Sequence, residues 1–166
     1  MNRSGNHASV GAREAMPWLV ALRHYLVIMG LGNFAWEIAH LPLYTIWTDK
    51  GLAANAFAVL HCTAGDVLIA AVSLLGALLV AGHPGWPVKR YWPIAAIAIS
   101  AGFAYTIFSE WLNTQVRGSW SYRELMPVLP WIGAGLSPLA QWIVIPTTTF
   151  LWLQHKFLPA MSERRS

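Results

Sequence analysis

The sequence has few charged residues and a single cysteine. Asp, Glu, Lys and Arg together make up 11% of the 166 residues, whereas hydrophobic residues make up 56%. The charged share of an ordinary soluble domain is about 25%. So small a charged fraction argues against a soluble domain and indicates a membrane protein. The single cysteine, Cys62, excludes an intrachain disulfide.

The sequence also lacks the short motifs that identify common enzyme classes. It contains no P-loop, no dinucleotide-binding fingerprint, no HExxH zinc motif and no paired CxxC motif. The net charge of +4 comes from basic residues that flank apolar stretches, and they form no basic face of the kind that binds nucleic acid. We therefore expect the lipid bilayer as a partner, and no nucleic acid.

Four apolar stretches dominate the chain, at about residues 20–47, 54–81, 91–112 and 129–155. Each is long enough to cross a bilayer core of about 30 Å. They predict an all-α membrane protein with a single transmembrane domain over residues 18–157. Residues 1–17 lack the apolar core of a secretory signal and are predicted to form a mobile tail, so the first span is expected to be retained. Residues 158–166 are predicted to form a basic C-terminal tail.

Lys and Arg are distributed unequally between the two predicted sides of the membrane. With four spans, the N-terminal flank, the middle loop and the C-terminal tail share one side, which holds eight of the eleven basic residues. Because positive residues favour the cytoplasm, both termini are predicted to be cytoplasmic, as in a bacterial inner membrane. Short connections then predict an up-down antiparallel four-helix bundle. The eight are Arg3, Arg13, Arg23, Lys89, Arg90, Lys156, Arg164 and Arg165, against Lys50, Arg117 and Arg123 on the other side.

Glu37 is the most informative residue, because it is the one formally charged side chain between Tyr25 and Trp47. A carboxylate at this depth costs a few kcal/mol or more unless it is paired, protonated or hydrated, so it marks a candidate functional site. Helical spacing places it on a polar stripe of the first span. The members of that stripe are Gly30, Asn33, Glu37, His40 and Tyr44.

Polar residues of the other spans are expected to meet Glu37 in the outer half of the bundle. Asp66 is the one charged residue of the second span. At a rise of 1.5 Å per residue, both acids lie roughly 15–18 Å below the outer surface. His61 is expected to point about 140° away from Asp66, so the two share a site only if the helix bends. Secondary candidates are Asn113, Gln141 and Glu110, of which Glu110 is expected to pair with Arg117 at the interface.

Carboxylate and imidazole groups together suit two kinds of chemistry. The Glu37-x-x-His40 pair presents an oxygen and a nitrogen on adjacent turns. In diiron bundles such a pair comes from each of two helices, and the second pair is missing here. Mixed oxygen and nitrogen ligands still suit a transition-metal ion, with Glu37, His40, His61 and Asp66 as candidate ligands. The same groups also suit proton transfer, with Glu37 and Asp66 as catalytic acid and base.

Three functions follow from these observations and stay open at the level of the sequence. The first is a membrane protein whose pocket binds a transition-metal ion or a proton. The second is a membrane enzyme that performs acid–base chemistry on a lipid-soluble substrate, such as an isoprenoid or a quinone-like molecule. The third is a non-catalytic subunit or assembly factor with a membrane protein partner, in which the buried polar residues stabilise helix packing.

Overall fold

The structure, a computed structural model, describes the backbone of residues 17–162 and the side chains of residues 18–156. Its helices are α1 (Pro17–His40), α2 (Ile46–Asp49), α3 (Leu52–Ala81), α4 (Tyr91–Trp111) and α5 (Leu136–Ser162). A 3-10 turn at Leu41–Leu43 follows α1, and a π-helical turn at Leu112–Val116 extends α4. Residues 17–162 contain no β-strand, which confirms the all-helical prediction. Residues 1–16 and 163–166 of the predicted tails (1–17 and 158–166) lie outside the described residues, whereas α5 continues to Ser162.

Four helical segments are long and apolar enough to cross a membrane, as predicted. Their mean hydropathies lie between 1.2 and 2.2, and the segment that includes α3 is the most apolar. The long apolar faces stay exposed on the outside of the protein, as expected of helices that contact lipid. The four segments are Trp18–Leu43, Leu52–Ala81, Tyr91–Val116 and Leu136–Lys156.

Proline and glycine move two helix boundaries away from the predicted positions. The first span was expected to continue to residue 47, but α1 ends at His40 because Pro42 disfavours the α-helical conformation in the residue before it. The fourth span was expected from residue 129, but α5 begins at Leu136. The preceding segment contains Pro130 and a left-handed Gly133 with φ of 69°, so it turns before the helix starts.

The four long helices close into a ring in which each packs against two neighbours. Helix α1 contacts α3 and α5, and α4 contacts the same two helices from the opposite side. Small residues let α3 and α4 approach each other closely, and aromatic rings fill the space towards α5. The most deeply buried core members are Tyr25, Met29, Ala70, Leu74, Ile94 and Phe150.

The segment between α4 and α5 folds over one end of the bundle and is tied to the connection that follows α1. Arg123 donates from Nη1 to the carbonyl of Pro42 at 2.8 Å and from its backbone to Leu43 at 2.9 Å. The amide of Thr45 donates to the carbonyl of Ser121 at 3.0 Å. These bonds hold the two connections together, and residues 117–135, the cover segment, lie above the polar residues of α1, α3 and α4.

Candidate functional site

Buried polar side chains from three helices meet at the amide of Gln141 on α5. Its Nε2 atom lies 2.8 Å from Asn33 Oδ1 and 3.2 Å from Glu37 Oε1, both on α1. The same nitrogen lies 3.0 Å from Asp66 Oδ2 on α3. Gln141 is 2% exposed and Glu37 is 8% exposed, so these contacts form inside the protein. The structure thus brings Glu37 and Asp66 together, with Gln141 between them.

The orientation of the Gln141 amide follows from its neighbours. Asn33 donates from Nδ2 to the carbonyl of Met29 at 2.8 Å, so its Oδ1 atom must face Gln141. If the Gln141 side-chain oxygen stood where the nitrogen stands, it would face the oxygens of Asn33, Glu37 and Asp66 with no hydrogen to donate to them. The nitrogen of Gln141 is therefore the atom that faces Asn33 and the two carboxyl groups.

The site has more hydrogen-bond acceptors than donors. An amide nitrogen carries two hydrogens, but three oxygen atoms surround Gln141 Nε2. Glu37 and Asp66 both contact this one nitrogen, so their carboxyl groups lie next to each other. Two ionised carboxylates at this separation repel each other, and one proton held between them removes the repulsion. The geometry therefore accommodates one additional proton or another cation.

A second set of hydrogen bonds links Glu37 to α5 through His40. His40 Nε2 lies 3.1 Å from Glu37 Oε2, and His40 Nδ1 lies 3.0 Å from Ser137 Oγ. Trp36 donates its indole N–H to the same Ser137 oxygen at 3.2 Å, and in the tautomer that lets an ionised Glu37 accept from His40 the serine hydroxyl donates to His40 Nδ1. A neutral His40 then carries its hydrogen on Nε2 and donates it to Glu37. A continuous chain runs from Ser137 through His40 to Glu37.

Trp142 holds the other carboxyl group of the pair. Its indole Nε1 donates to Asp66 Oδ1 at 3.3 Å. The Trp142 ring lies against Gly102 of α4, where an added Cβ would come within 2.2 Å of ring atom Cζ3. Any side chain at Gly102 would displace the ring, so this glycine allows Trp142 to reach Asp66.

Glu110 lies inside the bundle and is held by Tyr122. It is 6% exposed, and the Tyr122 hydroxyl donates to its Oε2 atom. The expected ion pair with Arg117 is wrong, since no ion pair joins the two within the described part of the chain. The segment after α4 instead brings Tyr122 to Glu110, and Arg117 is exposed. The Tyr122 oxygen also accepts the backbone N–H of Gly135 at 3.0 Å.

Both tyrosines near Glu110 lie outside the membrane-spanning segments and stay protonated at neutral pH. Burial raises the pKa of Tyr122 above its usual value of 10, and the charge of Glu110 raises that pKa further. Burial also raises the pKa of Tyr44 well above 10, again with Glu110 as the next cause. Tyr122 is therefore a hydrogen-bond donor to Glu110 throughout the physiological range.

The remaining predicted residues lie at the edge of this site or beyond it. His61 is exposed and stacks on Phe57, with ring centroids 5.6 Å apart, and it makes no hydrogen bond to Asp66 in the described structure. This agrees with the angle expected between His61 and Asp66. Asn113 is half-buried and donates to the carbonyl of Ser109 at 2.9 Å, so it caps its own helix.

One cavity connects these groups. It has a volume of about 500 Å³ and lies among α1, α3, α4, α5 and the cover segment. Glu37, Asp66 and Glu110 all line it, and most of its other lining residues are apolar or aromatic. It is large enough for a small organic molecule, since ligand pockets of proteins range over about 300–1,000 Å³.

The described residues give no support to a metal centre. No group of three or more His, Cys, Asp or Glu residues is arranged to hold a metal ion within this part of the chain. His61 points away from the Glu37–Asp66 pair, and the His40 ring nitrogens already contact Glu37 and Ser137. The four-ligand metal site therefore stays a prediction from the sequence.

Sequence reasoning missed four hydrogen-bonding side chains of the site. Trp142 and Tyr122 donate to the acids, Ser137 contacts His40, and Trp36 donates to Ser137. Trp36 and Trp142 carry a usable signal, because each lies deep inside a predicted span, where an indole N–H needs an acceptor. Ser137 and Tyr122 belong to segments whose path depends on tertiary contacts, and helical spacing gives no signal for them.

Comparison of the chain with protein-family models finds no match, and searches of curated proteins and of solved structures also find none. The site geometry alone therefore carries the functional argument.

Proposed function

We propose that this chain is a multi-pass membrane protein that binds and releases a proton at the Glu37–Asp66 pair. In the proposal the four long helices alternate in direction, both termini face the cytoplasm, and the membrane is a bacterial inner membrane. Eight of the eleven Lys and Arg residues on one side support this orientation. The acids then lie in the half of the bundle that is remote from the cytoplasm.

The observation that carries the proposal is the excess of acceptors around Gln141 Nε2. Three oxygen atoms face one nitrogen, and two of them belong to carboxyl groups. A proton on one carboxyl supplies the missing donor and removes one buried negative charge. That charge would otherwise cost a few kcal/mol in a membrane interior.

The contacts of His40 give this proton a route. Its two ring nitrogens contact Glu37 on one side and Ser137 on the other. An imidazole that accepts a proton at one nitrogen and releases it from the other can pass the proton along the chain. Glu37 is therefore the entry point to the pair, and Asp66, held by Trp142, is its second acceptor.

Proton release on a rapid shift from neutral to alkaline pH tests the proposal. Detergent-purified wild type should release about one more proton per chain than Glu37→Gln, because an isolated Asp66 needs no shared proton. Glu124→Gln is the matched control, since Glu124 is an exposed carboxyl on the cover segment, and it should release as many protons as wild type. Equal release from wild type and Glu37→Gln would contradict the proposal.

Elemental analysis of the same samples addresses the metal hypothesis. If wild type retains a stoichiometric transition metal and Glu37→Gln loses it, the carboxyl pair binds a metal ion rather than a shared proton.

A second function is favoured by the cavity. Its volume of about 500 Å³ and its largely apolar lining fit a lipid-soluble substrate beside two carboxyl groups. In this case Glu37 and Asp66 act as general acid and base, and conversion of an isoprenoid or quinone-like molecule would stop in both Glu37→Gln and Asp66→Asn. A subunit in which these residues only stabilise packing would retain its function in both variants.

A further inference from the structure

We propose that the cavity binds an apolar amine in its protonated form, and that this ligand enters from the bilayer between α3 and α4. The inference rests on the proposed function because it uses the same carboxyl pair, and it adds the chemical class of the ligand.

The charges of the cavity favour a cation. Three carboxyl groups line it, whereas its one arginine, Arg117, is exposed at the rim. Anionic ligands, such as a phosphate headgroup, would meet these carboxyl groups without a buried Lys or Arg to bind them. The titratable groups that line the cavity are Glu37 and His40 of α1, His61, Cys62 and Asp66 of α3, Tyr105 and Glu110 of α4, Tyr44 and Arg117.

The hydrogen-bond requirements favour a protonated amine over a cation without N–H groups. Glu37 and Asp66 present more acceptors than Gln141 can satisfy. An ammonium group carries three donors and a positive charge, so it supplies what the carboxyl pair lacks. A neutral lipid-soluble molecule would leave at least one carboxylate in the cavity without a balancing charge.

Aromatic rings around the acids suit the remainder of such a ligand. Trp142, Trp120, Phe57 and Tyr105 all line the cavity; Trp142 is buried, whereas Phe57 and Tyr105 also reach the protein surface. Aromatic faces attract cations and also pack against an apolar body. A ligand with a positive nitrogen and a hydrocarbon part therefore matches the lining, because the nitrogen can bind the carboxyl groups and the hydrocarbon part can pack against the aromatic rings.

The entrance is indicated by lining residues that also reach the outer surface. Phe57 and Leu68 of α3 are 68% and 64% exposed, and Tyr105 of α4 is 50% exposed. The α3 and α4 residues of the buried apolar core, from Ala70 to Ala77 and from Tyr91 to Ala98, do not line the cavity. The cavity thus meets the lipid-facing surface between these two helices, and an apolar amine dissolved in the bilayer reaches it sideways.

Two glycines of α3 provide a matched pair of variants for this entrance. Gly65 lines the cavity, and a Cβ added there meets nothing within 4 Å. Gly76 has the same open surroundings but lies outside the cavity. Gly65→Leu should fill the cavity without disturbing the helix. Gly76→Leu should change neither the cavity nor the helix.

The experiment compares 4-phenylbutylamine with 4-phenylbutanol, which has the same apolar body and no charge. Binding to the full chain in lipid nanodiscs is measured by calorimetry, with empty nanodiscs as the reference for partitioning into lipid. We expect saturable binding of the amine, and binding of the alcohol weaker by at least about tenfold. Gly65→Leu and Glu37→Gln should each weaken amine binding at least about tenfold, whereas Gly76→Leu should bind the amine like wild type.

Equal binding of amine and alcohol would overturn the cation assignment, and an unaffected Gly65→Leu would overturn the entrance. A thermal midpoint within error of wild type in Gly65→Leu shows that lost binding does not reflect unfolding. If the amine fails to bind while wild type still releases its extra proton, this inference alone is wrong. Loss of that proton difference would instead remove the proposed function.

Discussion

At the scale of single residues, the site depends on Gln141, a neutral amide that serves two acids at once. Its Nε2 atom contacts Asn33, Glu37 and Asp66 within 3.2 Å. A lysine in this position would fix both carboxylates as permanent ions. An amide leaves one of them to carry the proton that we propose the pair exchanges.

Replacing Gln141 by leucine should therefore destabilise the protein. The substitution removes a buried donor and leaves Asn33 and the carboxyl pair with unsatisfied acceptors, each of which costs about 1–3 kcal/mol. We expect a lower thermal midpoint for Gln141→Leu in detergent. The control is Gln115→Leu, because Gln115 is exposed and should change the midpoint little. An unchanged midpoint in Gln141→Leu would contradict the role given to this amide.

At the scale of secondary-structure elements, the site depends on how closely α4 and α5 approach each other. Trp142 reaches Asp66 because Gly102 leaves room for the indole ring. Nearer the other end of the bundle, Tyr91 of α4 donates its hydroxyl hydrogen to the carbonyl of Phe150 on α5. The two contacts fix α5 against α4 at two depths, and the cavity lies at the end that the cover segment closes.

Gly102→Ala should displace Trp142 and destabilise the contact between α4 and α5. An added methyl group would overlap the indole ring, and overpacking of this kind costs about 1–3 kcal/mol. We expect a lower thermal midpoint and a change in the near-ultraviolet circular dichroism of the tryptophans. Gly76→Ala, at an open position of α3, is the control and should match or slightly exceed wild-type stability. Wild-type spectra in Gly102→Ala would show that the ring does not need this glycine.

The elements were largely predictable from the sequence, and the hydrogen bonds within the site were not. Long apolar stretches predicted the four spans, and the spacing of Glu37 and Asp66 on the seams of two helices predicted that they meet. The partners of each carboxyl depend on side-chain rotamers and on the close packing at Gly102, which no periodicity encodes. The position of Glu110 was misjudged because the path of Tyr122 over α4 is set by tertiary contacts rather than by local propensity.

At the scale of the whole molecule, the ring of four helices places the fully apolar core and the polar cavity at different levels. Buried core residues such as Leu74, Ile94 and Phe150 pack one part of the bundle, and the acids lie in the other part. A packed apolar level below the cavity would block direct passage of water from one membrane face. Under the proposed topology, protons therefore reach the pair from the outer face through the His40 chain or with a ligand from the lipid.

Reporter fusions test this topology. Gly51 and Gly118 are exposed positions in connections at one end of the bundle, and Gly85 lies in the connection between α3 and α4. A periplasmic alkaline phosphatase reporter should be active at Gly51 and Gly118 and inactive at Gly85, because the proposed topology places the Gly85 loop and its basic residues in the cytoplasm. Activity at Gly85 with none at Gly118 would reverse the orientation and place the acids in the inner half.

The central claim is that Glu37 and Asp66 share one proton, and infrared spectroscopy of the carboxyl groups tests it most directly. At neutral pH the wild type should show the carbonyl stretch of a protonated carboxyl, with the shift in D₂O that an exchangeable proton produces. Both Glu37→Gln and Asp66→Asn should lose this band, because each amide supplies the donor that the shared proton supplied. The band should persist in Glu124→Gln and in Glu110→Gln, whose carboxyl groups lie outside the pair. A wild-type spectrum without the band, or a band that survives in both amide variants, would contradict the account.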